Sequence, residues 1–328
     1  MMEESAIAAG GLLPEEAEEG QAFSERIEER VRAGFIPDLR RAVRCEYFYK
    51  SFWRDPQFIR LYLGEMVNTY LGMLARHGGE DLRVLDVGCG PGYVALELAR
   101  AGHRVVGIDV SESAVEAARR TLASNPFDEG FGSLEYRVAP LRSATGTFDA
   151  VLFSGVLHHF ENVGENIDKA LELLSPGGLV VCHEPCHEQW RVEDAAQVAL
   201  IRTLLSLTGH WYESSEDGGA HADARAFESY IEDVHREYVT EQDKHERGQS
   251  PHDNASTGRE ILAALRERLV ELEYRPGVSF IYRLLGGLRG DDETVARLAD
   301  FLALYDRLSV ARGFMKPNGF YFVGRKAA

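Results

Sequence analysis

The sequence predicts an α/β fold, a mostly parallel sheet covered by helices on both faces, with one block of helices before it and another inserted after its fifth strand. Three observations predict it. Between residues 82 and 184 short apolar runs alternate with helical stripes. A turn too glycine-rich for anything but a tight bend, Gly88-Cys89-Gly90-Pro91-Gly92, joins the first apolar run to a helical stripe. After residue 190 the alternation stops and helical periodicity takes over.

Taken in order, residues 1–20 are acidic and rich in alanine and glycine, and are expected to be a mobile tail. Residues 21–80 form a helical cap. Phe23, Ile27 and Val31 recur at four-residue steps, and Asp55-Pro56 supplies an N-cap and a first-turn proline for a helix ending at Gly78-Gly79. Residues 81–189 are the ligand-binding core, with strands near 82–87, 103–109, 133–138, 148–154 and 178–184. Residues 190–256 are a helical lid insertion, in which Phe227, Tyr230, Ile231, Val234 and Tyr238 make the apolar stripe and Glu228, Glu232, Arg236 and Glu237 face water. Residues 257–328 return to the core. Thr257 and Glu260 make a capping box before the stripe Ile261, Leu265, Leu269, a sixth strand is expected at 277–282, a helix at 293–308 and a last strand at 319–324.

Composition narrows the partners. With 36 basic and 53 acidic residues the net charge is −17, which opposes the binding of nucleic acid. The four cysteines, at 45, 89, 182 and 186, are no secreted disulfide framework and suit a reducing compartment, so the expectation is a cytoplasmic protein. The acidic start lacks a basic n-region, and the best apolar run is interrupted by Arg202, so neither a signal peptide nor a membrane span is expected. A homodimer is admitted, not required.

The glycine turn makes a site for a nucleotide-like ligand, because the backbone can approach closely and the helix behind it presents unpaired N–H groups. Its spacing is G-x-G-x-G rather than G-x-G-x-x-G, with Asp86 two places before the first glycine and no basic residue near, which favours a cationic ligand without phosphates over a dinucleotide. The run Val84 to Gly92 resembles motif I of the class I S-adenosylmethionine-dependent methyltransferases. Val106-Gly107-Ile108-Asp109, Phe148-Asp149-Ala150-Val151 and Leu174-Ser175-Pro176-Gly177-Gly178 resemble later blocks of that family, in its order, over residues 80 to 186.

The resemblance implies a Rossmann-like seven-stranded sheet whose last strand is antiparallel, S-adenosylmethionine as cofactor, and methyl transfer to a small-molecule acceptor, with biosynthesis as the expected setting. Rival readings are a non-methylating or protein-directed member of the same fold, or a nicotinamide-dependent oxidoreductase. It implies that Gly88, Cys89, Gly90 and Gly92 bear the methionine half with Asp86 near its ammonium, that Asp109 accepts from the ribose and Val110 packs on adenine, and that Ala139 and Ser154 border the cofactor. After the third strand many members carry an acidic residue where this chain has Val138-Ala139-Pro140-Leu141, so adenine recognition passes to backbone or another side chain.

Candidate catalytic groups lie at strand ends. His159, in Leu157-His158-His159, is either a general base or an organiser of its loop. Glu184 and His187 are candidate substrate-facing groups in Cys182-His183-Glu184-Pro185-Cys186-His187, where alternation turns Cys182 and Glu184 to one face and His183 to the other, and no metal is expected. Tyr47, Tyr49, Trp53 and Trp190 are candidate walls for an apolar acceptor.

Overall fold

The computed structural model describes residues 11–41, 55–124, 129–213, 223–240, 250 and 252–327. Its centre is a seven-stranded sheet in the order β3-β2-β1-β4-β5-β7-β6. The strands are β1 (Arg83–Val87), β2 (Arg104–Asp109), β3 (Ser133–Val138), β4 (Phe148–Ser154), β5 (Leu174–Pro185), β6 (Leu269–Pro276) and β7 (Gly319–Lys326). All neighbours are parallel except β7, which runs antiparallel to both β5 and β6. Sequence position reverses between β1 and β4, and that crevice lies beyond the carboxyl ends of the parallel strands.

The helices are α1 (Pro14–Arg32), α2 (Pro56–Phe58), α3 (Gly64–His77), α4 (Tyr93–Arg100), α5 (Glu112–Ala123), α6 (Val163–Leu173), α7 (Val192–Leu207), α8 (Ala224–Thr240), α9 (Gly258–Arg268) and α10 (Asp292–Ala311). A π-turn, Ile59–Leu63, joins α2 to α3. Alternation along the strands divides the core. Leu85, Val151, Phe153, Val180 and Phe322 pack under α6 and α9, whereas Val84, Leu152, Val181 and Val323 pack under α3 and α4. The second face continues without a break into α7, α8 and α10 through Val198, Tyr238 and Ala299.

Several expectations are corrected. The N-terminal helix opens at Pro14, inside the stretch expected as a tail, because Glu19 and Gly20 are buried against the core domain. The sixth strand lies at 269–276, not 277–282. Leu269 ends the apolar stripe of α9 and also begins the strand, while the backbone N–H groups of Ser279, Phe280 and Ile281 donate to the buried Asp306 carboxylate at 2.9, 2.7 and 2.8 Å, which bends that segment out of the sheet. Glu237 does not face water: with its neighbour Tyr238 it turns inward and takes a bidentate contact from buried Arg202 at 2.7 and 2.9 Å. Asp55 caps Gln57 N, and the Thr257–Glu260 capping box is present. No helix among the described residues is long and apolar enough to cross a membrane.

Candidate functional site

The site grows from the turn after β1. Gly88, Gly90 and Gly92 all have positive φ, +64°, +53° and +84°, a region that side chains rarely adopt. Two of them also have no room for a Cβ, which would lie 2.4 Å from Val156 Cγ2 at Gly88 and 2.5 Å from the Tyr136 hydroxyl at Gly92. Tyr136 donates to the Gly92 carbonyl at 2.7 Å and so fixes the start of α4. At Gly90 a Cβ would meet nothing within 4 Å, and the backbone there borders open space. Cys89 contributes main chain only, since its sulfur lies against Gly107 in the core and burial pushes its thiol up.

Asp86, on β1, is 1% exposed, and neither carboxylate oxygen meets a donor in good hydrogen-bonding geometry. Burial, with the Asp109 carboxylate as a lesser cause, pushes it up to about 8, against a small opposing effect of the Ala95 N–H. Such a group fits a ligand cation. Asp109, half-buried at the end of β2, accepts from Gly90 N at 2.7 Å and Ser111 N at 2.8 Å. Each oxygen keeps lone-pair capacity for a further donor such as a ribose hydroxyl. Ala139 is buried, and its N–H donates to the Asp109 carbonyl at 2.9 Å, continuing the β2–β3 ladder up to the crevice. Ser154 closes the other flank, its hydroxyl 2.8 Å from the Tyr70 hydroxyl of α3.

Over this edge lies α1, which the sequence did not place there. A Cβ on Gly20 would stand 2.6 Å from the Val110 carbonyl oxygen, so the helix rests directly on the residue expected to face adenine. Ser24 Oγ is 2.9 Å from Ser111 Oγ, and Ser113 donates to Glu28 at 2.8 Å. Glu19 reaches His159 Nδ1 at 3.0 Å, where Ser250 Oγ also lies at 3.3 Å, and Phe23 meets the imidazole edge-on at 5.4 Å. Burial disfavours the His159 cation, yet the Glu19 bond prevails and leaves its pKa raised; Glu19 is correspondingly lowered. His159 therefore joins the α1 cap to the core. Nothing in the sequence distinguishes Glu19 from the other glutamates of the acidic helix α1.

The other catalytic candidates are turned elsewhere. Glu184 is fully buried, and its carboxylate accepts from Val156 N and Leu157 N at 3.0 Å each and contacts His158 Nδ1 at 2.9 Å, fixing the loop after β4. His187 is buried with Nδ1 2.7 Å from Asn318 Oδ1. Cys182 and Cys186 belong to the apolar core under α9. The side chains from Cys182 to His187 thus do not converge. Those that do are His158, His159 and Asp253, one potential ligand atom each within 4.8 Å. Trp190 is core rather than pocket wall: it is 3% exposed, stacks on Tyr238 at 4.2 Å and donates from Nε1 to Ser279 at 2.9 Å. Tyr47, Tyr49 and Trp53 lie outside the described residues.

Residues 85–182 match the family model of a methyltransferase domain. A ubiquinone biosynthesis O-methyltransferase of Methylocella silvestris is 39% identical over 104 residues, 31% of this chain and 39% of the relative. Its counterpart in Maricaulis maris is 32% identical over 145 residues, 40% of this chain and 55% of the relative. The matches therefore span from about two fifths to just over half of those relatives' own length. Among solved structures, the (4+2)-cyclase SpnF aligns over 97% of this chain and 98% of its own, with a TM-score of 0.51 at 17% identity. Magnesium protoporphyrin IX methyltransferase from Synechocystis PCC 6803, with bound SAH, aligns over 95% and 100%, with a TM-score of 0.50 at 14% identity. The fold is that of the class I S-adenosylmethionine-dependent methyltransferases.

Proposed function

We propose that the chain binds S-adenosylmethionine and transfers its methyl group to a small-molecule acceptor in a biosynthetic reaction. The observation that carries this reading is Asp86, a buried carboxyl with no donor in good geometry, on the strand that leads into the open turn at Gly90. The cofactor brings an α-ammonium to meet that carboxylate, ribose hydroxyls to meet Asp109, and a sulfonium whose methyl group is already activated. The remaining work of the protein is alignment, exclusion of water and, for some acceptors, removal of a proton. A dinucleotide fits poorly, since its phosphates would approach Asp86 and Asp109.

The test is calorimetry with S-adenosylmethionine, S-adenosylhomocysteine (SAH), NAD and NADP. The first two are expected to bind and the last two not. Asp109→Ala should weaken SAH binding by about 1.5–3 kcal/mol, the worth of a charge-assisted hydrogen bond. NAD binding, or no binding of SAH, overturns the reading; SAH binding without any methylated product would favour a non-methylating role for the same site.

A further inference from the structure

At the carboxyl end of β5 the side chain next to Glu184 points to the opposite face of the sheet and enters a cluster of aromatic rings. His183 stacks on Tyr321 at 4.3 Å and faces the edge of Tyr62 at 6.5 Å, and Tyr62 in turn stacks on Tyr282 at 5.8 Å. Tyr62 is held there by the π-turn Ile59–Leu63, whose widened backbone marks a place where one extra residue is accommodated. His183 pairs in register with Ser154 of β4, itself one strand from the β1 turn, so the cluster adjoins the cofactor crevice.

Among the described residues the His183 ring nitrogens make no hydrogen bond and no ion pair; their contacts are the two tyrosine rings. The residue nonetheless retains partial exposure within this enclosure. Burial drives its pKa down to about 4, so at neutral pH it is an uncharged base. Space for the imidazole is kept by Gly319 of β7, where a Cβ would stand 3.2 Å from Nε2. His159, by contrast, has Nδ1 engaged by Glu19 and Ser250. Glu184, the carboxylate adjacent in sequence, is turned to the loop on the other face, and its charge acts on the imidazole only from across the strand.

We propose that His183 is the catalytic base of the methyl transfer, and that the acceptor is a flat, apolar molecule bearing a hydroxyl group, bounded by Tyr62, Tyr282 and Tyr321 with its hydroxyl on the His183 imidazole. This rests on the methyltransferase reading above. As the acceptor oxygen bonds to the methyl carbon, the carbon–sulfur bond breaks with its electron pair left on sulfur. The hydroxyl proton passes to His183, and the imidazolium, favoured by the nearby Glu184 charge, returns it to water.

The experiment measures binding of 2-naphthol to the SAH-saturated full chain, and its methylation when S-adenosylmethionine replaces SAH. His183→Ala should weaken 2-naphthol binding about tenfold, the worth of one hydrogen bond of about 1.4 kcal/mol. His183→Gln, which still accepts a hydrogen bond but takes no proton, should bind 2-naphthol nearly as wild type while methylation falls about 10²-fold or more. Gly319→Ala, which crowds Nε2 without removing a group, should also weaken binding. 2-Methylnaphthalene should bind all four proteins alike, and SAH affinity should not change. The proposal is overturned if 2-naphthol does not bind the wild type, binds His183→Ala equally well, or is methylated by His183→Gln at the wild-type rate. Loss of SAH binding by the wild type would instead overturn the methyltransferase reading beneath it.

Discussion

On the proposed cofactor reading, Asp86 should couple ligand binding to pH. Its carboxyl, pushed up to about 8 by burial and by Asp109, carries a proton at neutral pH, whereas in the unfolded chain it ionises near the usual carboxylate value of 3.8. A raised carboxylate holds more protons folded than unfolded, so its contribution to stability is complete below 3.8 and is lost as pH rises to about 8. A ligand ammonium reverses the preference by pairing with the anion, so binding below about pH 8 releases a proton. SAH affinity should therefore rise between about pH 6 and 8, with a limiting slope of about tenfold per pH unit. Asp86→Asn should abolish that slope, weakening binding at pH 8 and changing it little at pH 6. Calorimetry in buffers of differing ionisation enthalpy reads the proton directly, and a pH-independent wild-type affinity would contradict the assignment. The geometry of the Asp86 turn was legible from the sequence because motif spacing names it; the surroundings of His183 were not, because the alternation that places it gives no hint that Tyr62 and Tyr321, from distant segments, would flank it.

Among elements, the five parallel strands were legible because buried strands are continuous apolar runs bounded by turn residues. β6 was missed although Val270, Leu272 and Tyr274 alternate with charged residues, since Leu269 also completes the helical stripe of α9. The placement of α1 was hidden for another reason: an acidic amphipathic helix says that it packs, not where. Its position carries a prediction. With Gly20 on Val110 and Glu19 on His159, removal of residues 1–20 should not be harmless, and should speed SAH release, as should Gly20→Val, whose added carbon would clash 2.6 Å from the Val110 oxygen. The latch also depends on pH. The His159 contribution is complete below its ordinary value of 6.5 and is lost as pH rises through its raised pKa; that of Glu19 is present above 4.5 and is lost as pH falls through its lowered one. Stopped-flow release of SAH should hence be slowest in mildly acidic buffer, and His159→Gln should flatten the profile. Equal release rates for the full chain and the form lacking residues 1–20 would mean that α1 does not cover the ligand.

At the scale of the molecule, the expected division into core and lid does not coincide with a division of the hydrophobic core. Tyr70 and Met73 of α3, Val198 of α7, Tyr238 of α8 and Ala299 of α10 bury one continuous surface with Val84, Leu152 and Val181 of the sheet. Sequence order cannot reveal this, because contiguous helical stripes look alike whether they cover a separate module or a shared face. The seam is fastened by charge as well. Arg202 of α7 bonds Glu237 of α8, and its guanidinium lies 5.5 Å from the Trp211 ring and 5.6 Å from the Tyr238 ring. Burial disfavours the Arg202 cation, but Glu237 outweighs it and holds the guanidinium firmly protonated. Removing one partner of such a pair leaves the other charge buried, which costs about 3–5 kcal/mol. Glu237→Leu, which also strips the buried Arg283 guanidinium of a carboxylate 3.6 Å away, should therefore destabilise the whole protein by at least that amount, whereas adding Arg202→Met should recover only the share due to Arg202. Because sheet and insertion share a core, unfolding followed by tryptophan fluorescence, which reports Trp190 and Trp211 of the insertion together with Trp53, should coincide with unfolding followed by far-ultraviolet circular dichroism, in the wild type and in both variants. Two separated transitions, with the insertion melting first and the sheet surviving, would show instead that residues 190–256 are an independent module.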